Sequence, residues 1–132
     1  MIIITGEQLT LRLLEDRFAI CKTDNNLPIP IWILGSRDFY SITRTEEEMS
    51  IIVKESSAPQ DVEKEVGWRA FKIEGILDFS QTGILSSLSG LLAAEGLPVF
   101  VVSTYNTDYI FIKEKDLEKA RKVLSTSYNI LN

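Results

Sequence analysis

One stretch of the sequence, residues 78–124, predicts a complete supersecondary unit and constrains the fold more than any other feature. A polar loop ends at Thr82-Gly83. The residues that follow predict an amphipathic helix, because apolar side chains recur at the 3.6-residue helical period, namely Ile84, Leu85, Leu88, Leu91 and Leu92. Glycine commonly ends a helix, so we expect this helix to end just before Gly96.

The second part of the same stretch predicts a strand, a turn, a strand and a further helix. Two strand-like runs, Val99–Ser103 and Tyr109–Lys113, lie on either side of the polar turn Thr104–Asp108. A second helix is expected from Asp116 to about Ser125. Apolar residues again share one of its faces, and its acidic start and basic end suit the helix dipole.

The part of the chain before residue 78 predicts several short strands. Pro28 and Pro30 exclude a helix interior around them, and Ile31–Leu34 is expected to form a single helical turn. Ser56–Glu65 predicts a surface connection and is the best candidate for a domain boundary. Strand-like patterns occur twice within Leu9–Thr23, on either side of a charged turn at Glu15–Arg17, and once each in Phe39–Thr43, Met49–Lys54 and Trp68–Glu74.

Composition argues against several classes of function. The chain has 132 residues, of which 45% are apolar and 25% charged, as expected for one ordinary soluble domain or two small ones. Its formal net charge of −5, with no basic run, predicts no nucleic-acid partner and no docking on anionic lipid. No stretch approaches the roughly 18 uninterrupted apolar residues of a spanning helix, and the first residues lack the features of a signal peptide. We therefore expect no membrane association.

The cysteine and histidine counts restrict the chemistry further. A single cysteine, Cys21, excludes an internal disulfide and predicts a reducing, cytoplasmic location. The absence of histidine removes the commonest general base and the most frequent zinc ligand. The acidic residues Glu46–Glu48 are consecutive and do not form the spaced loop that calcium requires. We expect no metal, no cofactor and no catalytic residues.

Two polar segments are candidates for a ligand site, and each has a structural alternative. The backbone amides that open the helix after Thr82-Gly83 can bind a carboxylate, although the same residues could serve only to start the helix. Asp108 and Asp78 could bind the ammonium or guanidinium group of a ligand, or could be turn residues that bond to their own backbone. The two carboxylates could also act as an acid/base pair, but nothing in the sequence positions a third group.

The C-terminal half resembles an ACT domain, the βαββαβ ferredoxin-like module of amino-acid-responsive regulation. The resemblance lies in DFSQTGILSSLSGLLAAEGLPVFVVSTYNTDYIFIKEKDL, which is similar to the ACT modules of aspartokinases and of small stand-alone proteins related to them. The segment SITRTEEEMSIIVKES resembles the end of the first of two ACT-like units in those proteins. The family is also similar to the cytosolic arginine sensors of animals, which contain such units in series.

The resemblance implies an α+β protein with two ferredoxin-like ACT subdomains on antiparallel sheets, residues 1–62 and 63–132. The first is expected to be degenerate, because the short proline-broken segment Pro28–Arg37 stands where the family has a full helix. A free amino acid would bind at the interface of the two units. The implied ligand contacts lie in the loop before the first helix and on the strand turn, namely Asp78, Phe79, Thr82, Gly83, Ile84, Ser103, Thr104 and Asp108.

From these features we predict a non-catalytic regulatory protein that binds a free amino acid. It would act on a regulated protein partner through a population shift between two arrangements. Because the exposed strand edges or helices of such sheets commonly pair across a two-fold axis, we also expect a homodimer. The main alternative is a structural or protein-interaction module without a small-molecule ligand. A small enzyme acting on amino acids or their derivatives is a third hypothesis.

Overall fold

A computed structural model describes residues 9–34, 38–75 and 83–132 and shows an α+β protein. Three short 3₁₀ turns, Ile31–Ile33, Glu55–Ser57 and Glu114–Asp116, accompany the regular elements. Over the described residues, the strands and α-helices in chain order are β1 Thr10–Leu13, β2 Phe18–Thr23, β3 Ser41–Arg44, β4 Met49–Lys54, β5 Glu63–Ile73, α1 Ile84–Ala94, β6 Val99–Ser103, β7 Asp108–Lys113, α2 Leu117–Leu124 and β8 Asn129–Leu131.

The chain divides into two compact units. The helical unit consists of the described residues up to Glu15 together with Arg69–Asn132, and the strand unit consists of Asp16–Trp68. The first part of β5 therefore belongs to the strand unit and the last part to the helical unit. The division expected from the sequence, 1–62 and 63–132, stays a prediction.

The helical unit has the βαββαβ order that the resemblance implies. From β5 onward its elements follow as β5, α1, β6, β7, α2 and β8. In its sheet the strand order is β8-β1-β5-β7-β6, so β1 lies between the first and last strands of the motif. Strand β1 pairs antiparallel with β5, in the register Leu11 with Ile73, and parallel with β8. The motif is confirmed, with one additional strand inserted in its sheet.

The core of the helical unit consists of apolar side chains from α1 and α2 packed against apolar side chains of the sheet. Leu88 and Leu92, on the predicted apolar face of α1, are fully buried, and the other three residues of that face pack against the same core. The buried members are Leu11, Leu13, Phe71, Ile73, Leu88, Leu92, Leu97, Ile110, Ile112, Leu117, Ala120, Leu124 and Tyr128. The helix predicted from the 3.6-residue period is confirmed.

Helix α1 ends in a Schellman motif, as the stop signal at Gly96 predicts. Gly96 has a φ of 72°, a left-handed conformation that favours glycine. Its N–H donates to the carbonyl of Ala93 over 2.9 Å, and the N–H of Leu97 donates to the carbonyl of Leu92 over 3.1 Å. Leu97 is then buried in the core, so the chain turns directly from α1 toward β6.

The strand unit has the same order of elements but no α-helix among its described residues. Strand β2, a 3₁₀ turn, β3, β4, a second 3₁₀ turn and the start of β5 follow one another, and the strand order is β3-β4-β2-β5. All three pairings are antiparallel. The single turn Ile31–Ile33 stands after the two prolines where the motif would have its first helix. This reduced helix agrees with the expected degenerate first unit.

The core of the strand unit is small and is covered by its turns. Ile33 is fully buried, and Trp32, Ala58 and Val62 pack beside it against the sheet. The sheet contributes Ala19, Cys21, Met49, Ile51 and Val53. Cys21 lies on β2, and burial raises the pKa of its thiol, which disfavours the reactive thiolate.

Two predictions made from local patterns need correction. The segment Ser56–Glu65 is not a connection throughout, because β5 already begins at Glu63. The first three residues of this strand, Glu63, Lys64 and Glu65, are all charged, and this end of β5 is largely exposed. Strand β8 was not predicted from the residue pattern, since three residues carry too little periodicity. No helix within the described ranges combines the length and the apolar character that a bilayer crossing needs.

Candidate functional site

The residues predicted to contact a ligand fall into two segments of the helical unit. Asp78, Phe79 and Thr82 lie outside the described residues. Gly83 and Ile84 open α1. Ser103, Thr104 and Asp108 lie at the turn between β6 and β7, described first below.

The turn between β6 and β7 is closed by hydrogen bonds between two threonines. The N–H of Thr104 donates to the carbonyl of Thr107 over 2.8 Å, and the Thr104 hydroxyl donates to the same carbonyl over 3.1 Å. The N–H of Thr107 donates back to Oγ1 of Thr104 over 3.3 Å. The turn therefore has one defined conformation, with Tyr105 and Asn106 exposed at its tip.

Ser103 and Asp108 face each other at the end of the hairpin. They form the last pair of the antiparallel ladder between β6 and β7, and the Ser103 hydroxyl donates to Oδ1 of Asp108. The carboxylate is half-buried, and Oδ2 accepts no hydrogen bond from the part of the chain that the structure describes. The Asp108 carboxylate is thus oriented by Ser103.

A buried hydrogen bond ties this turn to the strand that leads into the predicted ligand loop. Thr107 is 4% exposed, and its hydroxyl donates to the backbone carbonyl of Ile73 over 2.6 Å. Ile73 is the last residue of β5, and the chain continues from it toward Gly83. The bond holds the turn next to the start of that loop. The sequence does not predict this anchoring bond of Thr107, because its partner is 34 positions away.

Helix α1 begins at a glycine in the left-handed conformation. Gly83 has a φ of 84°, and its carbonyl accepts the N–H of Ser87 over 2.8 Å, which is the first hydrogen bond of the helix. Within the described residues no side chain caps this end. Among the described residues, no atom would lie within 4 Å of a Cβ at Gly83; the φ of 84° by itself favours glycine at this position.

A groove of about 780 Å³ lies along α2, and none of the predicted ligand contacts that the structure describes lines it. Its lining contains Lys119, Arg121 and Lys122 together with Tyr128 and Asn129. Arg121 and Lys122 lie in the last turn of α2, where they offset the negative end of the helix dipole. In the ranges 9–34, 38–75 and 83–132, no group of three or more Cys, Asp or Glu side chains could hold a metal ion.

Comparison with known proteins agrees with this fold. A family model described as an ACT domain matches residues 63–126, which include β5, α1, the hairpin and α2. A second family model, described as an N-terminal domain, matches residues 16–61. The chain belongs to the ACT-domain family. The suspected membership is therefore confirmed.

Two relatives share about a third of their residues with this ACT protein. One is a protein from Agobacterium tumefaciens whose crystal structure is known and whose sequence is 35% identical. The alignment covers 96% of this chain and 94% of that protein, and the two structures superimpose with a TM-score of 0.88. The human protein CASTOR3P is 33% identical over 106 residues, which are 70% of this chain and 65% of the human protein. The chain therefore spans somewhat less than two thirds of the human relative.

The fold is also that of the aspartate kinase regulatory subunits. The regulatory subunit of aspartate kinase from Thermus thermophilus has a TM-score of 0.65 and covers 90% of this chain and 97% of its own. At 13% identity this similarity shows a shared fold. It confirms the expected ACT-type α+β architecture.

Removal of the Thr107 hydroxyl is expected to destabilise the ACT protein. Thr107→Val keeps the side-chain volume but leaves the buried carbonyl of Ile73 without its donor, which costs about 1–3 kcal/mol. Urea denaturation followed by circular dichroism measures the difference. Thr43→Val, at an exposed position of β3, is the matched control and should change stability by less than about 0.5 kcal/mol. Equal stabilities of the two variants would contradict the anchoring role.

Proposed function

We propose that this ACT protein is a non-catalytic regulatory protein that binds a free amino acid at the turn between β6 and β7 and the start of α1. The observation that carries the proposal is the hydrogen bond from Thr107 to Ile73, which holds the Asp108 turn beside the strand leading to Gly83. In this proposal the amides at the start of α1 and the Asp108 carboxylate contact the same ligand. The prediction that the ligand lies between two ACT-like units stays a prediction.

The chemistry of the two groups suits the two charged ends of an amino acid. Amides at the start of α1 carry the positive end of the helix dipole and can bind a carboxylate. Asp108, held by Ser103, can accept charge-assisted hydrogen bonds from an ammonium or guanidinium group. A molecule with both groups satisfies both sites at once, whereas a simple anion or cation satisfies one.

Several observations favour regulation over catalysis. The chain has no histidine, which is the usual general base for a serine nucleophile. The structural relatives include regulatory subunits of an amino-acid kinase. In the proposed mechanism the ligand stabilises one of two arrangements, and a coupling of about 1–3 kcal/mol would control a protein partner. A turnover lost in both Asp78→Asn and Asp108→Asn would favour an enzyme instead.

The proposed setting is the reducing cytoplasm, and the proposed assembly is a homodimer. The only cysteine, Cys21, is buried and free, as suits a compartment in which disulfides are not needed. Strands at sheet edges such as β6 and β3 can pair across a two-fold axis. Sedimentation equilibrium over a range of protein concentrations tests the dimer.

A thermal-shift screen with the twenty free amino acids tests the proposed function. A ligand at one hundred times its dissociation constant stabilises the folded state by about 2.7 kcal/mol. For a chain of this size we expect a rise in melting temperature of several degrees. We expect the rise for one amino acid or one chemical class, and isothermal titration should give saturable heat for the same compound. No rise and no heat for any of the twenty would favour the interaction-module alternative.

A further inference from the structure

The strand unit presents an apolar segment whose side chains are only partly used by its core. Residues 27–34 read LPIPIWIL and contain no charged side chain. Four side chains of this segment, Leu27, Ile29, Ile31 and Leu34, are 52%, 47%, 83% and 57% exposed. We call these four residues the apolar strip. Clustered exposed apolar side chains on a soluble protein commonly mark an interaction surface, whereas single ones need no explanation.

The apolar strip is held in place by the rest of the strand unit. At its start, the Arg44 guanidinium donates from Nη2 to the carbonyl of Leu27 over 2.7 Å. Just before it, Nδ2 of Asn25 donates to the carbonyls of Thr45 and Glu46 over 3.0 and 2.6 Å. Near its end, Ile33 is fully buried in the core. The segment is therefore anchored at Leu27 and at Ile33. Ile31 lies between these two anchored residues and is exposed in this conformation.

The surroundings of the apolar strip are acidic. The hydrogen bonds of Asn25 and Arg44 place the beginning of the strip, at Leu27, near the turn Thr45–Glu48, which carries three consecutive glutamates. Residues 24–48 contain five acidic and two basic side chains. Arg44, one of the two cations, is engaged with Leu27. A partner with basic residues around its apolar contacts is therefore complementary, and a second copy of this chain would present the same acidic turn.

We propose that the apolar strip is a docking surface for a segment of a partner protein whose apolar side chains are flanked by lysine or arginine. The apolar contacts would supply most of the affinity, since desolvated aliphatic side chains dominate such interfaces. The glutamates at the rim would attract basic partners and exclude acidic ones. The residues that form this surface belong to the strand unit, whereas the predicted amino-acid contacts belong to the helical unit.

The test uses the full chain and a fluorescein-labelled synthetic peptide of leucine and lysine, with fluorescence anisotropy as the readout. We expect saturable binding of this peptide, and at least about tenfold weaker binding of the same peptide with glutamate in place of lysine. Ile31→Asp should weaken binding of the leucine–lysine peptide by about tenfold or more. Because this substitution adds a negative charge, it would strengthen a purely electrostatic association, so a loss of binding reports the apolar contact.

Matched variants separate the apolar strip from other surfaces. Tyr105→Asp changes a side chain of the helical unit that is 82% exposed, nearly the same as Ile31, and should leave peptide binding unchanged. The double variant Glu46→Gln, Glu47→Gln should weaken binding several-fold and reduce its salt dependence. These experiments measure peptide binding alone. Their results would be the same if the protein bound no amino acid.

Three results would overturn the docking proposal. The first is equal peptide affinity of the wild-type protein and Ile31→Asp. The second is self-association in sedimentation equilibrium that Ile31→Asp abolishes, since the occupant would then be a second copy. The third is co-sedimentation with neutral phosphatidylcholine vesicles that Ile31→Asp abolishes, since the strip would then bind lipid.

Discussion

Exchange of Asp108 for asparagine is expected to weaken amino-acid binding by roughly 10- to 150-fold. The substitution keeps the size of the side chain and removes the charge that would face the ligand's ammonium or guanidinium group. A hydrogen bond to a charged group contributes about 1.5–3 kcal/mol, which corresponds to that range of dissociation constants. Isothermal titration with the amino acid identified by thermal shift measures the effect.

Two further variants make the Asp108 experiment specific. Glu118→Gln removes one negative charge from an 87% exposed side chain on α2 and should leave the affinity unchanged. Ser103→Ala removes the hydroxyl that orients Asp108 and should weaken binding by a smaller factor than Asp108→Asn does. If Asp108→Asn bound the ligand as tightly as Glu118→Gln, the carboxylate would have no part in recognition.

Truncation of Phe71 to alanine is expected to give the largest loss of stability among the variants considered. Phe71 is fully buried on β5, in the core formed with α1 and α2. Phe→Ala in such a core typically costs about 3–5 kcal/mol, because transfer energy is lost and a cavity remains. Since whole domains are stable by only about 5–15 kcal/mol, the variant should unfold at a much lower urea concentration.

A control on the same strand distinguishes core packing from strand propensity. Val66 lies on β5 and is 46% exposed, so Val66→Thr keeps a β-branched side chain and should cost less than about 1 kcal/mol. Urea denaturation followed by tryptophan fluorescence compares the two variants at equal protein concentration. A Phe71→Ala protein as stable as Val66→Thr would show that this core is not the principal source of stability.

The elements that the sequence predicts well are those whose signal is local. The five apolar residues of α1 share one helical face, and both ends of that helix contain a glycine with positive φ. The hairpin from Val99 to Lys113 likewise follows from two apolar runs around a polar turn. These elements are determined by the spacing of apolar residues and by turn-forming residues within a few positions of one another. The predicted and observed elements therefore agree.

The features that the sequence does not reveal depend on distant partners. Strands β1 and β2 are neighbours in sequence, yet β1 pairs with β5 and β8 whereas β2 pairs with β4 and β5. The role of Thr107 depends on a carbonyl far away in the chain. The exposure of Ile31 depends on which residues of its segment the small core can accommodate. Pairing and burial of this kind are properties of the folded chain rather than of a sequence window.

Strand β1 makes the helical unit discontinuous along the gene. Since β1 lies between β5 and β8, the coding region for the strand unit is an insertion within that for the helical unit. A gene fusion that transferred residues 63–132 alone would omit Thr10–Leu13 and leave β5 and β8 without the strand that joins them. Recombination that moves this ACT module to another protein must therefore carry both of its sequence pieces.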